Sequence, residues 1–289
     1  MIFVSTTFLP DKTPIIEAIN KCEDIPIYNI ELGSNHVYEK DYFKIINGFK
    51  NFNFCVHNYF LRPRKDFVVN IASNNKLIRE KSLKHIYKSI DFCKKINAKM
   101  YTFHPGFLTD PKDERKNKTN YDFLWDQNKL SSANYIKSFE NMLSSIEKIV
   151  IYSKKKKVIC AIETEGSLSK KNHLLMQRPK EFEKFKKYFN CNDIKINVNI
   201  GHLNLAKKAF KFKYTDLINI IDKYIVAFEI SHNNGIEDQH KPLQKNGWYW
   251  NLISDKKFKN CYKILEFRNT STKKLKNNIN LINKKLNSF

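Results

Sequence analysis

Eight short runs of β-forming residues recur along the chain, and amphipathic stretches with helical periodicity lie between them. The predicted strands cover residues 2–5, 27–32, 52–57, 99–104, 158–163, 195–200, 226–231 and 262–267. Nearly continuous apolar strands that alternate with helices are typical of a parallel sheet covered on both faces. Eight such units within 289 residues predict an α/β fold that closes into a (β/α)8 barrel, because barrels of this kind commonly fill about 250 residues.

The predicted helices cover residues 82–95, 135–154, 181–188, 214–221 and 271–285. In the first of them, Leu83, Ile86, Tyr87, Ile90 and Cys93 follow the i, i+3, i+4, i+7 spacing of one buried helix face. No linker rich in Pro, Gly or Ser interrupts the series, so residues 1–289 are expected to form a single TIM-barrel domain. The polar, Lys-rich stretch 110–128 is predicted to be a long loop or insertion after the fourth strand.

The chain is strongly basic: 52 Lys and Arg against 29 Asp and Glu give a net charge of +23. A field of this size would attract nucleic acid, anionic lipid or a phosphorylated substrate. The excess is mostly Lys, however, and it is spread along the whole chain. A lysine-rich surface of compositional origin keeps a protein soluble without binding a specific partner, so both interpretations remain open.

The sequence favours a cytoplasmic protein without a membrane partner. Its longest apolar runs are far shorter than the roughly 20 residues that a membrane-spanning helix needs, and the N-terminus lacks a basic lead and a cleavage site. The six cysteines are scattered without a CxxC motif, which predicts buried free thiols in a reducing compartment; they are Cys22, Cys55, Cys93, Cys160, Cys191 and Cys261. The oligomeric state is left open.

Possible metal ligands and acid–base groups gather at the ends of the predicted strands. In a parallel barrel, functional side chains come from the carboxyl ends of the strands and from the loops that follow. Five of the eight histidines are predicted to lie at this one rim, whereas chance would place several of them on helices. The candidates are Glu31, His57, His104, Glu163, His202, His232, Asp238, His240 and Glu266.

The carboxylates among these candidates indicate a cation. Glu163 and Glu266 each follow a run of apolar residues, and a buried lone carboxylate carries a desolvation cost of several kcal/mol unless a cation or hydrogen bonds offset it. Imidazole and carboxylate together suit Zn²⁺, Mn²⁺ or Co²⁺ better than Mg²⁺. The sequence therefore predicts a divalent metal cofactor at the rim.

The motifs around these residues, taken together, are far more specific than any one of them. They are Val56-His57-Asn58-Tyr59-Phe60, Asn70-Ile71-Ala72-Ser73, Phe103-His104-Pro105-Gly106, Ile162-Glu163, Gly201-His202, Ser231-His232-Asn233-Asn234-Gly235 and Asp238-Gln239-His240. Over nearly its whole length, the chain resembles the xylose-isomerase-like barrel superfamily. That superfamily includes sugar and sugar-phosphate isomerases and epimerases, and also endonuclease IV of abasic-site repair.

For the isomerase branch, the resemblance implies one metal ion held by Glu163, Asn199, His232 and Glu266. The two glutamates would act as base and acid on opposite faces of an α-hydroxy carbonyl. This is the first hypothesis: a metal-dependent isomerase or epimerase of a carbohydrate.

Under this hypothesis Glu31 and His202 would hold hydroxyl groups of the sugar. A substrate phosphate would meet Arg62, Arg268 or Lys241, and the sequence singles out none of them. Trp248, Trp250 or Phe60 would pack on the sugar ring, although a lid or core contact explains the tryptophans equally well.

For the endonuclease branch, the resemblance implies three zinc ions and a phosphodiesterase acting on abasic DNA. The ligand positions are His57, His104, Glu163, Asn199, His202, His232, Asp238, His240 and Glu266. Asn199 departs from both branches, which have Asp there; an amide oxygen can coordinate a metal but brings no charge. A third hypothesis is a binding protein that kept the barrel and lost catalysis.

Overall fold

The computed structural model describes residues 1–111, 113–114 and 123–287, and its centre is a closed barrel of eight parallel strands. The barrel strands are β1 (Ile2–Ser5), β2 (Asn29–Leu32), β3 (Asn53–His57), β4 (Tyr101–Phe103), β5 (Cys160–Glu163), β6 (Lys195–Asn199), β7 (Ile225–Ile230) and β8 (Tyr262–Leu265). Each strand pairs with its neighbours in the sequence, and β8 pairs with β1 to close the barrel. The predicted (β/α)8 fold is confirmed, and each predicted strand overlaps an observed one.

Helices run between the strands, as the periodicity predicts. They are α1 (Ile15–Glu23), α2 (Tyr42–Asn47), α3 (Lys76–Ile96), α4 (Ser132–Lys156), α5 (Pro179–Lys186), α6 (Ile200–Phe210), α7 (Tyr214–Ile221), α8 (Trp250–Ile253) and α9 (Thr272–Asn287). The two longest begin at capping side chains: Asn75 accepts a hydrogen bond from the backbone of Leu77, and Ser131 accepts one from Asn134. Such caps satisfy backbone N–H groups that have no partner within the helix.

The barrel interior changes from apolar to polar within one pleat of the strands. Its lower layer is apolar and contains Phe3, Cys55, Met100, Ala161, Ala227 and Ile264. Side chains two residues further along a strand point to the same face. The layer above therefore consists of Ser5, His57, Thr102, Glu163, Glu229 and Glu266, all buried. This alternation places ionisable side chains over an apolar floor.

The sequence prediction differs from the structure at the end of the sixth strand, and the predicted insertion lies partly outside the described residues. The predicted sixth strand ends at Ile200, but α6 begins at that residue because the Asn199 side chain caps the helix. The stretch 110–128 falls partly outside the described residues; within it, Asp113–Glu114 pairs with Phe123–Leu124 as a short antiparallel ladder. No helix among the described residues is both long enough and apolar enough to cross a membrane.

Candidate metal centre

The strand ends of the barrel bring together a first group of candidate ligands. His57 and Glu163 are the last residues of β3 and β5, and His104 follows β4 directly. One ligand atom from each of the three lies within 4.8 Å of the others. Nε2 of His57 is 2.9 Å from Oε2 of Glu163, and Nε2 of His104 is 3.7 Å from the same oxygen. We call these three residues the strand-end group.

A second group is built from the first turn of α6 and the loop that follows β7. His202, Asp238 and His240 each offer one ligand atom, again within 4.8 Å of one another. Oδ2 of Asp238 lies 3.4 Å from Nε2 of His202 and 2.6 Å from Nε2 of His240. A backbone bridge between His232 and Lys241 closes the loop around these residues. We call this second set the loop group.

Glu163 connects the two groups, and Glu266 lies beside the loop group. Oε1 of Glu163 lies 3.3 Å from Nδ1 of His202. Oε2 of Glu266 lies 2.9 Å from Nδ1 of His240, yet neither atom has a hydrogen-bond partner of acceptable geometry. Two electron-pair donors at this spacing without a hydrogen bond fit ligands that share a cation.

The ionisable side chains of the site shift one another's pKa values. Burial raises the pKa of Glu163, but the nearby imidazoles of His104, His202 and His57 outweigh burial and hold it well below its usual range. Burial alone would lower the pKa of His57, but its hydrogen bond to Glu163 raises it to about 9. His57 therefore supplies positive charge beside the buried carboxylate.

Several buried polar atoms of the site have no hydrogen-bond partner among the described residues. They include Glu229 Oε1, Asp238 Oδ1, His240 Nδ1 and Glu266 Oε2. A buried unsatisfied polar atom costs about 1–3 kcal/mol, so a set of them at one place requires compensation. Imidazole and carboxylate donors that converge in groups of three suit a zinc-type cation, and the residues present fit a metal ion.

The orientation of Asn199 is set by the start of α6. Its Oδ1 accepts a hydrogen bond from the backbone N–H of His202 at 3.1 Å, and its Nδ2 donates to Oε1 of Glu163 at 3.0 Å. Because a backbone N–H can only donate, the amide oxygen must face the helix. Asn199 thus presents an N–H group to Glu163 rather than an oxygen to a cation.

Glu229, and not His232, belongs to the buried polar layer inside the barrel. Oε1 of Glu229 lies 3.9 Å from Nε2 of His57, and Oε2 accepts a hydrogen bond from Asn197. His232 lies outside both groups, beside the ring of Tyr249. Burial, together with Lys241, lowers the pKa of His232. Strand alternation from Ala227 could have identified Glu229 in the sequence, since it is the next inward residue on β7.

The predicted substrate-binding residues occupy different surroundings. Glu31 is buried, and burial raises its pKa to about 7. Arg268 has an exposed side chain, although its backbone N–H donates to the carbonyl oxygen of His240. Trp248 packs on Tyr214 and under the Lys207 ammonium group, outside both ligand groups.

Glu165 is a buried residue of the site that the sequence analysis missed. Its Oε1 lies 2.6 Å from Nδ1 of His104. The residues that follow the Ile162-Glu163 motif contained the signal, because Glu165 stands two residues beyond Glu163 and so lies on the same side of the chain as it leaves β5.

The sequence matches the model of the xylose isomerase-like TIM barrel family over residues 38–285. The chain belongs to this family. It is also 26% identical to the uncharacterized protein MJ1614 of Methanocaldococcus jannaschii over 204 residues, which are 70% of this chain and 68% of that protein.

Solved structures with the same fold include an epimerase-like protein and an endonuclease. A D-tagatose 3-epimerase-like protein superimposes with a TM-score of 0.73 at 18% identity, covering 99% of this chain and 97% of its own. Endonuclease IV from Thermus thermophilus superimposes with a TM-score of 0.61 at 10% identity, covering 100% of this chain and 99% of its own. Identities this low show the common fold alone.

Proposed function

We propose that this protein is a zinc-type phosphodiesterase with at least two metal ions, related in its chemistry to endonuclease IV. The observation that carries the proposal is the presence of two separate three-ligand groups, the strand-end group and the loop group. Two-metal sites are the common solution for cleaving phosphoester bonds, whereas the isomerase hypothesis needs one metal. The net charge of +23 suits a phosphodiester substrate.

The bound cations would supply Lewis acidity and a water of lowered pKa. The protein side chains would do the positioning. Glu163 contacts His57 with one carboxylate oxygen and His202 with the other, so it would fix the position of the two groups relative to each other. Asp238 lies between the rings of His202 and His240 and would orient both of them.

The predicted one-metal arrangement receives less support from the geometry. Of its four ligands, Asn199 has its amide oxygen committed to the backbone of His202, and His232 stands outside both groups. Glu163 and Glu266 remain, and two carboxylates alone leave a transition-metal ion short of ligands. For Asn199 to bind a metal ion through its amide oxygen, the hydrogen bond from the backbone N–H of His202 that caps α6 would have to break.

A sugar isomerase or epimerase is the second candidate, and one observation favours it. Glu163 and Glu266 are both buried carboxylates of this site. The neighbouring histidines outweigh burial and hold both pKa values below the usual range, which suits a proton acceptor rather than a proton donor. The two carboxylates extend from β5 and β8, on different sides of the barrel, where they could serve two faces of a substrate.

Elemental analysis of the purified full-length protein, combined with two assays, tests the proposal. We expect two or more zinc ions per chain and zinc-dependent cleavage of a phosphodiester, measured with bis-p-nitrophenyl phosphate and with an oligonucleotide that contains an abasic site. One metal ion per chain, with exchange of a substrate C–H proton in ketohexoses and no phosphodiester cleavage, would replace it with the second candidate.

A further inference from the structure

Glu165 contacts one histidine from each ligand group. Its Oε1 lies 2.6 Å from Nδ1 of His104, and its Oε2 lies 3.6 Å from Nδ1 of His202. The side chain is buried, with 1% of its surface exposed. Among the contacts of the described residues, Glu165 is the one side chain that faces Nδ1 of a histidine in each group.

The loop that carries Glu165 is held in place on two sides. The backbone N–H of Glu165 donates to the carbonyl oxygen of Met176 at 3.1 Å. The next residue, Gly166, lies so close to α6 that a Cβ atom there would stand 1.9 Å from the carbonyl oxygen of His202. Only glycine permits this approach, so the loop and the first turn of α6 form one unit.

The same loop decides which nitrogen of each ring is available to a metal. Nδ1 of His104 faces the Glu165 carboxylate, and Nδ1 of His202 lies 3.0 Å from the carbonyl oxygen of Thr164. Both partners accept hydrogen bonds, so Nδ1 must carry the proton in each neutral ring. Nε2 then keeps its lone pair, and it points toward Glu163 in one case and Asp238 in the other.

We propose that Glu165 is a positioning residue shared by the two metal-binding groups, which fixes the ring orientation of His104 and supports His202 electrostatically. The inference rests on the two-metal centre proposed above. Carboxylates that hold the far nitrogen of a ligating histidine typically change metal affinity by 10–100-fold when they are removed. A single carboxylate between two such histidines should therefore affect both ions.

The test is a zinc titration of the metal-free, full-length protein against a chromophoric chelator, comparing the wild type with Glu165→Gln. We expect the zinc affinity of the strand-end group to fall by about 10-fold or more and that of the loop group to fall by a smaller factor, since Glu165 acts on His202 across 3.6 Å. The matched control is Glu181→Gln: Glu181 is also buried, with 2% of its surface exposed, and accepts hydrogen bonds at the start of α5, away from both groups. This control should keep wild-type zinc affinity even if its melting temperature falls.

A second background separates a shared role from an effect through His104 alone. In His104→Ala, the ion of the loop group remains, and adding Glu165→Gln should weaken that ion further. An unchanged affinity in the double variant would overturn the shared role. If the wild type takes up no second zinc ion, the proposed two-metal centre fails. If the wild type binds two zinc ions and Glu165→Gln binds them equally tightly, only the proposed role of Glu165 fails.

A measurement on the unmodified protein keeps the inference testable if Glu165→Gln does not fold. Histidine-selective ¹⁵N NMR of the zinc-loaded and cadmium-loaded chain reports which ring nitrogen carries the proton and which couples to ¹¹³Cd. We expect Nδ1–H and a metal-bound Nε2 for both His104 and His202. A metal-bound Nδ1 in either ring contradicts the proposal.

Discussion

The strand-end group and the loop group use similar ligands but differ in how the protein holds them. His57 and Glu163 are the terminal residues of barrel strands whose backbones are hydrogen-bonded on both sides. Asp238 and His240 lie in a loop between β7 and α8, and His240 adopts a positive φ of 43°. Ligands on paired strands are already positioned before a metal binds, whereas loop ligands need the loop to keep its shape. We therefore expect a tightly held ion at the strand-end group and a more exchangeable ion at the loop group.

The largest expected effect comes from Glu163→Gln, because this carboxylate contacts histidines of both groups. Losing its charge should reduce zinc content at both groups and lower phosphodiesterase activity by at least about 10³-fold, more than the loss of an outer carboxylate produces. Elemental analysis and a steady-state assay would measure this. A variant that retains two zinc ions and most of the activity would contradict the shared role of Glu163.

The variants His57→Ala and His202→Ala test the two groups separately. Each should remove one ion and lower phosphodiesterase activity by about 100-fold or more. Under the isomerase candidate, His57→Ala should cause only a mild loss of activity. Retained phosphodiester cleavage in His57→Ala would exclude the strand-end group as a required metal site.

Chelator kinetics can compare the groups in the unmodified protein. We expect zinc release to be biphasic, with the loop group losing its ion about 10-fold faster, since loops open locally more readily than paired strands. The fast phase should disappear in His202→Ala, and the slow phase should disappear in His57→Ala. A single phase in the wild type would mean that both ions leave together.

Zinc affinity should increase with pH. In the metal-free protein the pKa values of His57 and His240 are raised to about 9, in each case because neighbouring carboxylates outweigh burial. Below that pH the protonated rings compete with zinc, so affinity should rise by about 10-fold per pH unit for each proton released, up to about pH 9. Calorimetry in buffers of different ionisation enthalpy would count the protons, and an absence of proton release would contradict these pKa shifts.

The smallest expected effect is that of His232→Ala. Because His232 lies outside both groups, zinc content should stay unchanged and activity should fall by no more than about threefold, as for substitutions that remove no ligand. Glu229→Gln is the matched comparison, since Glu229 lies 3.9 Å from His57 and should change zinc affinity at the strand-end group. Loss of zinc in His232→Ala would restore His232 as a ligand.

The barrel and the rim that carries the candidate ligands could be predicted from local patterns in the sequence. Apolar runs such as the one that ends in Glu163 identify buried parallel strands because burial on both faces demands continuous hydrophobicity. The position of His57 and His104 at one rim then follows from the fold, since all strand ends of a parallel barrel meet at one face. Neither inference needs a contact between distant residues.

The tertiary structure alone decided how the rim residues divide into two groups and which atoms they offer. Asn199 looks like a ligand in the sequence, but its oxygen is taken by the first turn of α6. Glu165 belongs to the site because the loop after β5 packs against that same helix. Side-chain direction at a strand end depends on helix caps, loop paths and contacts across the barrel, and these join residues far apart in the sequence. Local residue patterns carry no information about such contacts, so the grouping of the candidate ligands could be obtained only from the folded chain.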